Sequence, residues 1–223
     1  MILRVIQTHL GSLIVIFLAG SLMKPAGAQE APDLVDIRKV DRTIVIDLRY
    51  AGPNNIAGRP LYPPGTEALV RPDVARRLVV AQAFLRRYKY GLKIWDAYRP
   101  KTAQMELWKA ARSNVYVADP ETTNGSLHSW GLAVDATLVD ARKREMRMPT
   151  GFDDFTPAAM WRYQGTDPIV RANLVLLQVA MREGGFYGLR AEWWHFVAKD
   201  WKDHVPDPDQ FGIRPSSLSD QKL

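Results

Sequence analysis

Two fragments almost sixty residues apart constrain this chain more than anything else in it. The first, Ser126-Leu-His-Ser-Trp-Gly-Leu-Ala-Val-Asp135, places a histidine and a carboxylate seven positions apart with a glycine between them. The second, Glu192-Trp-Trp-His195, adds another carboxylate and another histidine. On a continuous strand, residues seven apart face opposite sides, because side chains alternate with period two. His128 and Asp135 can therefore meet one partner only if the chain turns between them, and Gly131 supplies the backbone freedom for that turn.

A fold that joins the fragments offers two imidazoles and one carboxylate, His128, Asp135 and His195, as metal ligands. Glu192 is then left over to work on a bound water. Three protein ligands, one open position and a base are the parts of a hydrolytic zinc site. The chain has no cysteine, so a transition metal must be bound through His, Asp and Glu, and neither a disulfide nor a lipid-modified cysteine is available. Of the other histidines, His9 falls in the amino-terminal apolar segment and His204, beside Asp203, reads as a surface residue.

A length of 223 residues suits one well-buried domain, and 47% apolar with 24% charged residues is ordinary for a globular protein. Arg4, the apolar run from Leu10 to Met23 and the small residues Ala26-Gly27-Ala28 describe a secretory signal peptide over residues 1–28. The alternative is a retained anchor, but Gly11, Ser12, Gly20 and Ser21 interrupt a run already short for a membrane span. Cleavage leaves 195 residues, exported and periplasmic, with no stable membrane insertion. The net charge of +6 includes Arg4 and Lys24 of the leader. The remaining Lys and Arg are spread along the chain among Asp and Glu, so the balance reads as solubility first. Attraction to an anionic envelope or wall polymer comes second, and nucleic-acid binding is not expected.

Thr43 to Tyr50 predicts a strand, and Ala51 to Pro60 a loop dense in turn formers. Pro72 to Tyr90 predicts a helix stopped by Gly91, with Val74, Leu78, Ala81 and Leu85 on its buried stripe. Leu92 to Tyr98 reads as a strand, Lys101 to Arg112 as a helix, 114–125 as a loop and Leu132 to Val139 as a strand of small and β-branched residues. A loop spans Met146 to Phe155. Thr156-Pro157 and Asp167-Pro168 each have the form of an N-cap followed by proline, the second opening a helix to Glu183. Glu192 to Ala198 predicts the last core strand. The mixture without strict βαβ alternation gives an α+β domain over residues 29–204, with a central, mostly antiparallel sheet flanked by helices and the metal site at the sheet. Residues 205–223 read as a loosely packed tail.

The pattern Ser126-x-His128-x-x-Gly131-x-Ala133-x-Asp135 with Glu192-x-Trp-His195 resembles the zinc D,D-peptidases that cut cell-wall peptides. More of the chain is similar to one branch, the D-alanyl-D-alanine dipeptidases known from vancomycin resistance. Asp47-Leu-Arg-Tyr-Ala51, Asn54-Asn55, Gly58, Leu61-Tyr62, Asp96-Ala-Tyr-Arg-Pro100, Phe152-Asp153 and Gly185-Phe186 carry that likeness, which spans about residues 34 to 200. The resemblance implies one Zn2+ per chain on His128, Asp135 and His195, with Glu192 as general base and then acid. It implies that Arg99 polarises the scissile carbonyl and that Asp153 receives the substrate's free ammonium. Ser126 and Tyr50 are implied as further substrate contacts. Asp154 directly after Asp153, and Ala51-Gly52-Pro53 in place of the family's Ala-Thr step, depart from the pattern.

The expected activity is hydrolysis of the D-Ala-D-Ala dipeptide, a small-molecule partner. One rival is a D,D-carboxypeptidase acting on longer wall peptides; another is a non-catalytic wall-peptide binding protein, disfavoured because both Glu192 and Arg99 are present. The sequence implies no particular oligomeric state.

Overall fold

The computed structural model describes residues 32–111, 113, 116–121 and 125–211, so the expected leader and the end of the tail lie outside the described residues. The chain enters through a short strand, β1 (Val35–Asp36), and a one-turn helix, α1 (Ile37–Val40), neither of which is among the elements expected from the sequence. Asp36 caps that turn by accepting from the Arg38 amide, and Ile37 is buried.

The strand expected over 43–50 is shorter than its β-branched composition suggests. Only β2 (Val45–Ile46) pairs, followed by one further bond from the Asp47 amide to the Ile94 carbonyl. The chain then curls into a 3-10 turn over Arg49–Ala51, which sinks Tyr50 into the interior. A second small strand, β3 (Leu69–Val70), pairs antiparallel with β1.

Helix α2 (Pro72–Arg86) starts as expected, with Pro72 at its first position and Asp73 in its first turn. It ends earlier than expected, because Lys89 adopts a left-handed conformation (φ 63°) and Tyr90 and Gly91 join strand β4 (Tyr90–Asp96). The buried stripe contains Val74, Leu78, Ala81 and Leu85 as read, plus Gln82, whose side-chain oxygen accepts from the Leu92 amide at 2.7 Å. A polar residue in that stripe thus ties the helix to the next strand.

Helix α3 (Lys101–Ala111) follows, then the eight-residue strand β5 (Ala133–Asp140), buried along nearly its whole length. Helix α4 (Pro168–Glu183) is capped by Asp167, which accepts from the amides of Ile169 and Val170. It packs against α2 so closely that a Cβ on Gly184 would lie 2.7 Å from the Arg77 carbonyl oxygen. Thr156 precedes a 3-10 turn over Pro157–Ala159 but its side chain makes no capping bond. Two last strands, β6 (Phe186–Gly188) and β7 (His195–Ala198), complete the molecule.

The main sheet has the order β2-β4-β5-β7-β6; β2 runs parallel to β4 and every other neighbour is antiparallel. This is the α+β, mostly antiparallel arrangement expected. Helices α2 and α4 pack on the sheet, and Leu78, Leu85, Leu92, Leu138, Leu174 and Leu177 belong to the one large apolar core they share with it. Fully buried apolar side chains of this size contribute about 1.5–3 kcal/mol each, which gives a core able to hold the fold without disulfides. The expected tail is packed at its start: Val205 is buried, and Phe211 stacks edge-on against Trp130 and Trp201. Two aromatic partners anchor Phe211 where a loose tail was expected.

Candidate active site

Ser126 is the first residue of the site to be explained, because its side chain accepts from the His128 amide at 3.2 Å and starts the 3-10 turn Leu127–Trp130. Gly131 ends that turn with φ 66°. A Cβ there would approach Leu34 to 2.5 Å, so glycine is required by space as well as by conformation. The turn reverses the chain just before β5, and His128 and Asp135 come to the same place. A register shift in the β4–β5 ladder between Ile94 and Asp96 sets Asp96 opposite Asp135 at the same end. Bulges of this kind re-aim side chains beside sites. Strand β7 then pairs Asp135 with His195.

Three ligand-type atoms converge. His195 Nδ1 lies 3.0 Å from Asp135 Oδ1 and 3.2 Å from His128 Nε2, while His128 Nε2 lies 3.4 Å from Asp135 Oδ1. A tetrahedral zinc with bonds of about 2.0–2.2 Å holds its ligand atoms about 3.3 Å apart, so the triangle fits. Protonation also fits. His128 Nδ1 donates to the Ala97 carbonyl at 2.7 Å, which leaves the Nε2 lone pair facing the other two. Burial pushes the His195 pKa down and keeps that ring neutral, despite the opposing pull of Asp135. Burial works against ionisation of Asp135, but the two histidines more than offset it and hold the carboxyl below its usual range. Neutral imidazoles and an ionised carboxylate are what a metal requires.

Around the triangle, a cavity of about 440 Å³ is lined by Glu192, Arg99, Asp153, Tyr50 and Ser126 together with His128, Asp135 and His195. All eight residues singled out in the sequence thus meet in one place. Glu192 is buried, with its Oε2 3.8 Å from His195 Nδ1. Burial first, and then the charges of Asp135 and Asp153, raise its pKa well above the ordinary value. Arg99 is gripped on two sides: Nε and Nη2 donate to Asp96 Oδ2 at 2.9 and 2.6 Å, and Nη1 donates to Gln104 Oε1 at 2.9 Å. Its Nη2 also stands 3.6 Å from Asp135 Oδ2.

Asp153 sits in a left-handed backbone conformation (φ 56°) that swings its carboxylate inward. Tyr50 Oη donates to it at 3.0 Å and the Ile56 amide at 3.0 Å, yet burial still lifts its pKa to about 7. Asp154 does not line the cavity. The loop that departs from the family pattern is closed by Asn55, whose amide donates to the carbonyls of Arg49, Gly52 and Arg59, and so presents Ile56 to Asp153. Trp194 lines the cavity whereas Trp193 is core, its Nε1 donating to Thr150. His204 is half-buried rather than a plain surface residue, 3.7 Å from Asp73.

Sequence reasoning assigned no role to Asp96, Tyr62 or Gln104. Asp96 joins the whole site: it holds Arg99, lies 3.3 Å from His128 Nδ1 and accepts a very short bond from Tyr62. The signal was present as a carboxylate three residues before Arg99. Gln104 carries none, because its role depends on how α3 packs.

The pattern of one peptidase family, M15, described as D-ala-D-ala dipeptidase, matches residues 30–211. A D-alanyl-D-alanine dipeptidase of Escherichia coli K12 is 34% identical over 182 residues, covering 82% of this chain and 93% of that protein. One from Enterococcus faecium is 28% identical over 173 residues, covering 69% and 85%. A vancomycin-resistance D,D-pentapeptidase solved with Zn(II) superposes with a TM-score of 0.41 at 17% identity, covering 62% of this chain and 77% of that one.

Proposed function

The chain belongs to the M15 family of peptidases described as D-ala-D-ala dipeptidase, and from that premise we propose that it is a zinc-dependent hydrolase of the D-Ala-D-Ala dipeptide. The observation that carries the reading is the shared cavity, in which a ligand triangle, a buried carboxylate base, a fixed guanidinium and a second buried carboxylate face one space. His128, Asp135 and His195 would hold the metal, which when bound supplies a Lewis acid and a water whose pKa falls to about 7. One zinc per chain is the stoichiometry we propose. The other such grouping among the described residues, Asp73, Asp200 and His204, already carries Arg77 on Asp200 at 2.5 Å.

Glu192 takes the proton from the attacking water and returns it to the leaving amine. Its raised pKa makes it a stronger proton acceptor than an ordinary carboxylate once ionised. Arg99, with its guanidinium clamped by Asp96 and Gln104, meets the negative charge that develops on the scissile carbonyl oxygen without having to reorient. Tyr50 keeps its proton, because burial and the neighbouring Asp153 raise its pKa, and so remains a donor that steadies Asp153. Ser126 uses one lone pair on the His128 amide and keeps its hydroxyl proton for a substrate carbonyl.

Asp153 sets substrate size. Among the described residues no lysine or arginine forms an ion pair with it, so a substrate ammonium is the natural counter-charge. An acylated amine would leave the buried carboxylate unpaired, at a cost of several kcal/mol. This disfavours the carboxypeptidase rival. We propose further that the protein acts outside the cytoplasm, in wall turnover; the leader pattern of residues 1–28 supports this, and sequencing the amino terminus of protein recovered from the periplasm tests it.

The deciding experiment measures amine release from D-Ala-D-Ala, its N-acetylated form and a wall tripeptide ending in D-Ala-D-Ala, each with zinc and with a chelator. Zinc-dependent cleavage of the free dipeptide alone is expected. Equal cleavage of the blocked or longer substrates would move the protein to the carboxypeptidases, and binding without cleavage would overturn the enzyme reading.

A further inference from the structure

Seven of the chain's thirty Lys and Arg, read from sequence as spread along it, are brought by the fold to one end. Residues 86–90 hold Arg86, Arg87 and Lys89, and residues 140–147 hold Arg142, Lys143, Arg144 and Arg147. The antiparallel pairing of Tyr90 with Asp140 sets these two turns side by side. Against the seven cations stand Asp140 and Glu145 of the same two turns and Asp167, which pairs with Arg147, so seven cations against three carboxylates leave this end a net charge of +4. All seven cations are exposed, as is Tyr88, and the two turns flank an open groove of about 630 Å³ lined by Tyr88, Lys89, Tyr90, Arg142, Arg144 and Arg147 among others.

From this geometry we propose that the Tyr88–Tyr90 and Asp140–Arg147 turns dock the protein on an anionic phospholipid surface. The arrangement of the two carboxylates decides between a flat surface and a threaded polyanion. Asp140 and Glu145 are the less exposed, with side chains 22% and 32% exposed, while Arg144 and Arg147 stand out at 69% and 64% even though they pair with Asp140 and Asp167. Arg86, Arg87, Lys89, Arg142 and Lys143 add exposed charge beside them. A phosphodiester strand pushed into the groove meets carboxylates, whereas a plane of headgroups touching the tips meets the net positive field. Tyr88, exposed between Arg87 and Lys89, has the amphipathic ring that favours the headgroup layer. The patch is also well placed to leave the cavity open. Asp135 and Asp96 mark the other end of the β4–β5 pair, about 17 Å along the strands at about 3.3 Å per residue. This docking requires no transmembrane helix, and no helix among the described residues is long and apolar enough to be one.

The proposal stands independently of the peptidase reading. The test floats the full chain with mixed phosphatidylglycerol–phosphatidylcholine vesicles, with pure phosphatidylcholine vesicles and with a short DNA duplex. It compares the wild type with a variant carrying Lys89→Gln, Arg142→Gln and Lys143→Gln. Both proteins have the same apolar amino-terminal run, so the difference between them reports the patch alone. Each basic residue near an anionic leaflet raises partitioning roughly fivefold, so the variant should bind the anionic vesicles about a hundredfold more weakly. Wild-type binding should collapse at about 0.5 M salt, where screening acts within about 4 Å, and dipeptide hydrolysis in solution should be the same for both. Equal binding by the variant, equal binding to zwitterionic vesicles, or no wild-type binding to anionic ones overturns the proposal. Binding to duplex DNA that exceeds binding to the vesicles overturns it too, and assigns the patch to nucleic acid.

Discussion

The two ends of the β4–β5 pair each carry an arginine bonded to an aspartate, at nearly the same distance, and the two pairs do opposite things. Arg99 Nη2 lies 2.6 Å from Asp96 Oδ2, with side chains 7% and 0% exposed. Arg144 Nη2 lies 2.7 Å from Asp140 Oδ2, with side chains 69% and 22% exposed. The first pair is desolvated, so its charges act on their neighbours through a weak dielectric and fix one geometry. Water surrounds the second, and its charge adds to a diffuse surface field instead. Distance alone does not separate a site from a surface here; burial does.

The sharpest way to break this contrast is at the buried end. His128→Ala removes one corner of the ligand triangle, and zinc content measured on the purified protein should fall to background with hydrolysis below detection. Full zinc loading in that variant would sink the assignment of the triangle. Glu192→Gln leaves the triangle intact, so zinc content should match the wild type while the rate falls by about 10²–10⁴-fold, the usual contribution of a general base. If turnover stayed near wild type, Glu192 could not be the base.

The buried end was also the more legible of the two. Of the eight candidate residues, His128, Asp135, Glu192 and His195 were read from their types and spacing, and Arg99, Asp153, Ser126 and Tyr50 only from the family resemblance. The need for a turn at Gly131 followed from strand geometry alone. What could not be read were the residues that act through tertiary packing. Gln104 reaches Arg99 only because α3 folds back, and the 3-10 turn that buries Tyr50 overrides a β-rich sequence. At the exposed end nothing was legible, since Lys89 and Arg142 are far apart in sequence and line one groove only through the Tyr90–Asp140 register. The long elements, α2, α4 and β5, were read nearly in full because their periodicity is local. Of the two-residue strands, β1 and β3 were missed and β2 was read too long, because their stability lies in what they pair with.

An intermediate test removes Asp153's charge and keeps its shape. The sign follows from linkage. Burial raises the Asp153 pKa to about 7, so between its unfolded value of about 3.8 and 7 the folded state holds a proton that the unfolded state does not. Stability from this group is therefore full below about pH 4 and is lost as pH rises through 7. In metal-free, ligand-free protein the thermal midpoint should fall over that window, and Asp153→Asn should flatten the fall, by at most about 4 kcal/mol. A substrate ammonium should restore what the rising pH removes, so D-Ala-D-Ala should raise the wild-type midpoint more at pH 8 than at pH 5. An unchanged pH profile in Asp153→Asn would mean the carboxylate is already compensated.

The smallest effect returns to the two arginine–aspartate pairs. Arg99→Ala leaves Asp96 buried beside His128 and should cost about 3–5 kcal/mol, together with about 10²–10³ in rate from the lost carbonyl partner. Arg144→Ala leaves Asp140 in water, still accepting from the amides of Arg142 and Arg144 at 2.8 and 2.9 Å, which any residue at position 144 can donate. The turn keeps its own bonds, so the thermal midpoint and dipeptide turnover should both stay within error of wild type. Only binding to anionic vesicles should weaken, and by no more than one cation's share. A clear loss of stability in Arg144→Ala would mean that the exposed pair fixes the turn as the buried pair fixes the site, and that burial does not divide the two ends.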